Sequence, residues 1–255
     1  MSQRGFTLIE LVLTIVIGSI IMLGGIAGYV QVGMKGYVDA SSRQRIQTQA
    51  QFVLEKMARE IRHAVPNSFA MTNTVDESCL SFVPTLNSGY YFQEPTSNDL
   101  LFITGENVPG NTLKASEEIR FVINPTRYDD LISGAVSNHL INSDLSLNGN
   151  DGNGNADFYR YSLTTPLPSD SIAHRIYLYQ LATKVEYCIV KAGGAHTNRL
   201  TRNGTVVENI VADESQFNYT NVSLQIGGIV YLKFAFEQNG EVSTYQQDVQ
   251  VLNVP

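Results

Sequence analysis

At 255 residues with 43% hydrophobic side chains, the chain is long enough for one large domain or two small ones around a substantial core. Its 24 acids against 17 lysines and arginines give a net charge of −7. The basic residues are scattered rather than striped, which excludes nucleic acid as the default partner.

The first five residues are mostly polar, and a long apolar run follows them with one acid, Glu10, near its start. Residues 11–34 carry no formal charge, which exceeds the roughly 20 residues needed to cross a bilayer as a helix. Roughly a dozen Leu, Ile and Val residues, each contributing about −0.3 to −0.6 kcal/mol, outweigh a single interfacial acid costing at most ~3 kcal/mol. Arg4 biases the N-terminus to the cytoplasmic side. The run is too long for a secretory h-region and offers no convincing small-residue cleavage site, so it is expected to be retained as a single-pass anchor. Gly18, Gly24, Gly25, Gly28, Gly33 and Gly36 punctuate it, and Gly24 and Gly28 have the spacing of a close helix–helix approach.

Beyond Lys35 the composition changes but a helical period persists. Ile46, Ala50, Val53, Met57, Ile61 and Ala64 fall on one face, with Arg43, Arg45, Lys56, Arg59 and Arg62 around the rest. Glu55 and Arg59 form an i,i+4 pair, and Pro66 ends the pattern. One helix is therefore predicted over residues 6–65, about 90 Å long if unbroken.

The rest reads as β. Ile119, Phe121 and Ile123 alternate with more polar neighbours, and "RIYLYQLATKVEYCIV" is strand-rich by composition. Val230, Leu232, Phe234 and Phe236 give one face of a strand. Asn239-Gly240 predicts a type I′ turn, and Tyr245, Val249 and Val251 face inward on the return. The expected fold class is α+β, with an antiparallel sheet packing its apolar face on the amphipathic half of the helix.

Cys79 and Cys188 form no metal motif. They are either one disulfide in a domain outside the cytoplasm or two buried thiols, and spacing does not choose between them. The segment "SDLSLNGNDGNGNADF" is rich in side-chain oxygens. Asp144, Asn148, Asp151, Asn153, Asn155 and Asp157 partly match a calcium loop, but neither frame reaches a glutamate at its twelfth position. The plainer reading is an Asn/Gly-rich surface loop. His63, His139, His174 and His196 share no ligand spacing; His63 lies at the helix end and the others are expected on the surface. No serine or cysteine sits in a nucleophile motif, so no catalytic residue and no cofactor is expected, with calcium the alternative.

"GFTLIELVLTIVIG" resembles the processing signal of type IV prepilins and of the pseudopilins of type II secretion. The resemblance is strong over residues 5–66 and extends, more loosely, to the closing hairpin and the terminal residues Asn253 to Pro255. It implies a leader over residues 1–5, cleavage between Gly5 and Phe6 by a membrane prepilin peptidase, and N-methylation of Phe6. It also implies pairing of Glu10 with the new amine during assembly, and a globular β-rich domain over residues 66–255. The implied partners are other major and minor pilins through the N-terminal helix, the peptidase, an inner-membrane assembly platform and membrane lipid. The implied location is the bacterial inner membrane with the domain in the periplasm, then the pilus. The chain is most similar to minor pilins of mannose-sensitive haemagglutinin pilus biogenesis, with J-type minor pseudopilins as the close competitor. It departs from many major pilins in having no proline midway through the membrane half and no cysteines placed to close a C-terminal loop.

Overall fold

A computed structural model of the chain describes residues 7–105, 112–132, 134–149, 157–164, 166–191, 198–220, 228–238 and 240–251. The chain divides into two compact units, residues 1–49 and 50–255. One helix, α1 (Leu8–Arg62), begins in the first and ends in the second.

In the first unit, α1 is long and apolar enough to cross a membrane. Its large side chains, from Leu8 to Val38, are exposed around the whole circumference. Such a surface has no counterpart in a water-soluble helix, which hides one face. Thr14 and Ser19 turn their hydroxyls back onto the carbonyls of Leu11 and Ile15, at 2.9 and 2.7 Å. Both polar groups are thus satisfied within the helix, as a hydrocarbon environment requires.

In the second unit, the final turns of α1 bury Ala50, Val53, Leu54, Met57, Ala58 and Ile61, the i, i+3, i+4 stripe expected of an amphipathic helix. Phe52 and the Glu55–Arg59 pair lie on the exposed side. The helix stops at Arg62, three residues before the predicted end. From His63 the backbone is already committed to another strand: the Val65 N–H donates to the Val83 carbonyl at 2.8 Å and the Thr85 N–H to the His63 carbonyl at 2.9 Å. These partners satisfy groups that a further helical turn would have used.

Among the described residues the expected antiparallel sheet structure forms as four sheets, all antiparallel. The five-stranded sheet runs β1 (Ala70–Asn73), β2 (Glu77–Phe82), β12 (Val185–Val190), β13 (Arg199–Arg202), β14 (Thr205–Asn209). The seven-stranded sheet runs β7 (Asn138–Leu140), β6 (Arg120–Ile123), β11 (Arg175–Tyr179), β3 (Thr85–Gln93), β4 (Asp99–Thr104), β10 (Asp157–Ser162), β9 (Asn148–Gly149). A third sheet orders β15 (Gln216–Thr220), β16 (Ile229–Gln238) and β17 (Glu241–Gln250), and β5 (Thr112–Leu113) pairs with β8 (Leu145–Ser146). With the helix this makes an α+β, type IV pilin-like architecture.

The closing hairpin forms as its alternation dictates. Val230, Leu232, Phe234 and Phe236 are buried, as are Val249 and Val251, while Tyr245 is half-buried against Phe236. Gln238 pairs with Glu241 across a two-residue turn in which Gly240 takes φ +78°. Asn239 lies outside the described residues. The stretch that reads as one strand-rich run splits at a 3-10 turn, Leu181–Thr183, and sends β11 and β12 into different sheets. One face of the seven-stranded sheet carries its own core, including Tyr91, Leu100, Phe102, Phe121, Tyr159 and Ile176.

Candidate functional site

Gly5 and Phe6, the expected processing residues, lie outside the described residues, which begin immediately after them. Thr7 opens the helix: its carbonyl accepts from the backbone N–H groups of Glu10 at 3.1 Å and Leu11 at 3.2 Å. Glu10 is exposed in the first turn, where a carboxylate complements the positive end of the helix dipole. Its neighbours Leu8, Ile9, Leu11 and Val12 are also exposed. The segment therefore presents one acid on an otherwise apolar cylinder, within two turns of the proposed new N-terminus. Gly18, Gly24, Gly25, Gly28, Gly33 and Gly36 have open space around the position a Cβ would take. Among the described residues no close approach explains them, which leaves their surface available to another helix.

Cys79 and Cys188 are directly opposed on β2 and β12 and joined by a disulfide. Their Cα atoms are 4.1 Å apart, the close spacing of a non-hydrogen-bonded antiparallel pair. The Glu77 carboxylate is within 4.8 Å of both sulfurs. Bonded to each other, however, the sulfurs are not thiolate ligands for a metal.

The oxygen-rich segment is drawn into sheet structure on both sides. Asp144 Oδ1 accepts from the Ala115 N–H at 2.9 Å, so one of its oxygens caps a neighbouring 3-10 turn. Asn148 and Asp157 fall on β9 and β10, paired through Phe158 and Gly149 respectively. Asp151, Asn153 and Asn155 lie outside the described residues. His196 does too, whereas His63 follows the helix end and His174 is exposed. His139 corrects the surface expectation. Strand parity turns it toward the core, where its ring stacks on Phe121 at 4.9 Å and its Nε2 is buried. Burial holds its pKa below the ordinary histidine value.

A cleft of about 340 Å³ escaped sequence reasoning. It opens between the end of β3 and the segment before β11, and includes Tyr91, Phe92, Glu94, Asp170 and His174. The Tyr91 hydroxyl accepts from the Ser171 N–H at 2.9 Å and donates to Asp170 Oδ1 at 3.4 Å. The His174 ring stands edge-on to Tyr91. Among the described residues no histidine side chain hydrogen-bonds to a serine or cysteine, the geometry an activated nucleophile needs.

The family model described as the prokaryotic N-terminal methylation motif matches residues 1–26. The chain matches no curated protein and no solved structure. The motif ends inside the apolar part of α1, so from Leu8 onward the matched signal lies within the membrane-length helix. Together they support a membrane-anchored, prepilin-like protein of the type IV pilin and pseudopilin kind.

Proposed function

We propose that this chain is a minor pilin: a structural subunit that is processed at the membrane and then inserted into, or primes, a type IV pilus. The observation carrying this reading is the methylation motif over residues 1–26, leading without interruption into a helix exposed on every side. An exposed apolar cylinder is costly in water but suits a membrane first and a bundle of like helices afterwards.

In this reading, prepilin peptidase hydrolyses the Gly5–Phe6 peptide bond. Gly5 lets the backbone enter a tight cleavage cleft because it has no side chain. The freed Phe6 amine is methylated and remains cationic. Glu10, a carboxylate on an apolar surface, then has a partner whose charge offsets its own, supplied by its own chain or by an adjoining subunit. The domain over residues 50–255 faces the periplasm and later the pilus exterior. Within this class the resemblance over residues 5–66 and, more loosely, over the closing hairpin favours the O component of mannose-sensitive haemagglutinin pilus biogenesis. The size of the domain, and a disulfide set between β2 and β12 rather than closing a C-terminal loop, fit a minor rather than a major subunit.

Mass spectrometry of the protein purified from its own membranes tests the processing step. The mature chain is expected to begin at N-methylated Phe6; a chain that retains Met1 refutes it. Co-purification with pilus subunits, and not with secretion-system components, is the further expectation.

A further inference from the structure

The seven-stranded sheet has one face over a core; the other is packed at its β6–β11 end, where Val122, Tyr177 and Tyr179 meet Val65, Val83 and Leu131, and is left open around β3, β4 and β10 among the described residues. On the open part of that face, Arg175, Tyr90 and Ile103 form a continuous row across β11, β3 and β4. Phe92, Leu101 and Arg160 form the next row across β3, β4 and β10. Strand alternation fixes this side, because the intervening Tyr91, Leu100, Phe102, Tyr159 and Ile176 are buried on the other. Tyr90 is 50% exposed, Phe92 57% and Ile103 45%. Large aromatic and aliphatic groups standing together in water mark a contact surface. The combination of aromatics with arginine is that of interface centres.

The two arginines differ. Arg160 is answered by Glu94 at 3.0 Å and Asp99 at 2.7 Å. Arg175 stacks over the Tyr90 ring at 4.9 Å and pairs with no acid among the described residues. The face thus offers an apolar centre with one unanswered cation at its margin.

We propose that this face docks a different protein, one presenting an apolar patch with an Asp or Glu placed to meet Arg175. A second copy of this chain is the poorer fit. A face-to-face pair would set the surface against itself, and its two nearby carboxylates are already held by Arg160. The strongly acidic chain also disfavours a nucleic-acid or anionic-membrane occupant. The proposal does not depend on events at the N-terminus: an adduct on an unprocessed chain would leave it standing.

The test places a photocrosslinking p-benzoylphenylalanine at Phe92 of the full-length chain in its native membranes. A matched probe at Val206, exposed on β14, serves as the control. The expected result is a Phe92-specific adduct with a different protein, whose crosslinked peptide maps beside an Asp or Glu. Arg175→Glu is expected to cut its yield at least tenfold, and reversing the mapped acid to Lys to restore it. If Arg175→Glu does not fold, Arg175→Gln is read in the same way, with a loss of several-fold. An adduct only with a second copy or with lipid, no adduct, or a yield indifferent to these charge changes overturns the proposal.

Discussion

Glu60, in the last turn of α1, accepts a hydrogen bond from the Tyr187 hydroxyl of β12 at 3.1 Å. The same carboxylate oxygen accepts from Arg202 Nε at 3.0 Å, and Tyr187 and Arg202 are directly opposed on β12 and β13. One side chain therefore ties the end of the helix to two strands of the five-stranded sheet. Glu60→Ala leaves a half-buried cation and a buried phenol without a partner, a loss of about 1–3 kcal/mol. For a domain of this size that lowers the melting temperature by several degrees. Circular dichroism melting of the full chain in detergent checks it, with Glu55→Ala, whose pair is exposed at 3.9 Å, expected to change little.

Tyr179 gives a pH dependence. It is fully buried and its hydroxyl donates to the Leu131 carbonyl at 2.8 Å. Burial, only partly opposed by Arg120, holds its pKa well above the ordinary value of 10.0. A group whose folded pKa is raised contributes stability in full below the unfolded pKa. That contribution is lost as pH rises from there through the folded value. Each such tyrosine therefore removes about 1.4 kcal/mol per pH unit above about pH 10. Urea denaturation at pH 9, 10 and 11 should show this decline, with a slope shallower by about one proton in Tyr179→Phe. An unchanged slope in that variant would count against the assignment.

Gly89 is required by backbone proximity rather than by a turn. A Cβ there would lie 1.7 Å from the Ile103 carbonyl oxygen, which belongs to the neighbouring strand and cannot swing aside. Gly89→Ala is expected to cost upwards of about 3 kcal/mol or to prevent folding of the second unit. Gly24→Ala is the counterpart, since nothing lies within 4 Å of its added methyl. It should leave the melting of the isolated chain unchanged, so that any loss of filament incorporation reports contact with another helix.

These features differ in how far the sequence reveals them. The stripe from Ala50 to Ile61 and the alternation in β16 are strong periodic signals, and both are buried as their periods require. The break between β11 and β12 was not legible. The residues on either side have the same β-branched and aromatic composition, and the 3-10 turn at Leu181–Thr183 contains neither Gly nor Pro. His139 was misplaced because β7 is only three residues long, too short for alternation to show a direction. The exposed face of β3 has a different reason: "GYYF" is aromatic on both sides, so it shows no alternation that would mark one face as exposed.

The Cys79–Cys188 disulfide closes a sequence separation of 109 residues while linking strands already adjacent in the sheet. A loop of this length gives about 4.7 kcal/mol in the chain-entropy treatment, with measured losses for native bridges of about 2–5 kcal/mol. Reduction should lower the melting temperature without dispersing the secondary structure at 25 °C. A thiol assay under denaturing conditions should find no reactive cysteine before reduction and both afterwards. Two reactive thiols in the protein as purified would contradict the bridge.

On the proposed reading, substitutions at Glu10 separate processing from assembly. Glu10 lies four residues beyond Phe6 and is exposed in the first turn, so among the described residues it supports no packing. Glu10→Ala removes the carboxylate without altering the Gly5–Phe6 bond, and Glu10→Gln keeps the shape while removing the charge. If the role is to meet a cationic N-terminus, both variants should still be cleaved and methylated. Both should accumulate in the membrane and be depleted at least tenfold from sheared filaments. A role in shape alone predicts instead that Glu10→Gln assembles normally. Comparing the mature N-terminal mass with the filament-to-membrane ratio for the same cells distinguishes the two, because a cleavage defect moves the first measurement and a pairing defect only the second.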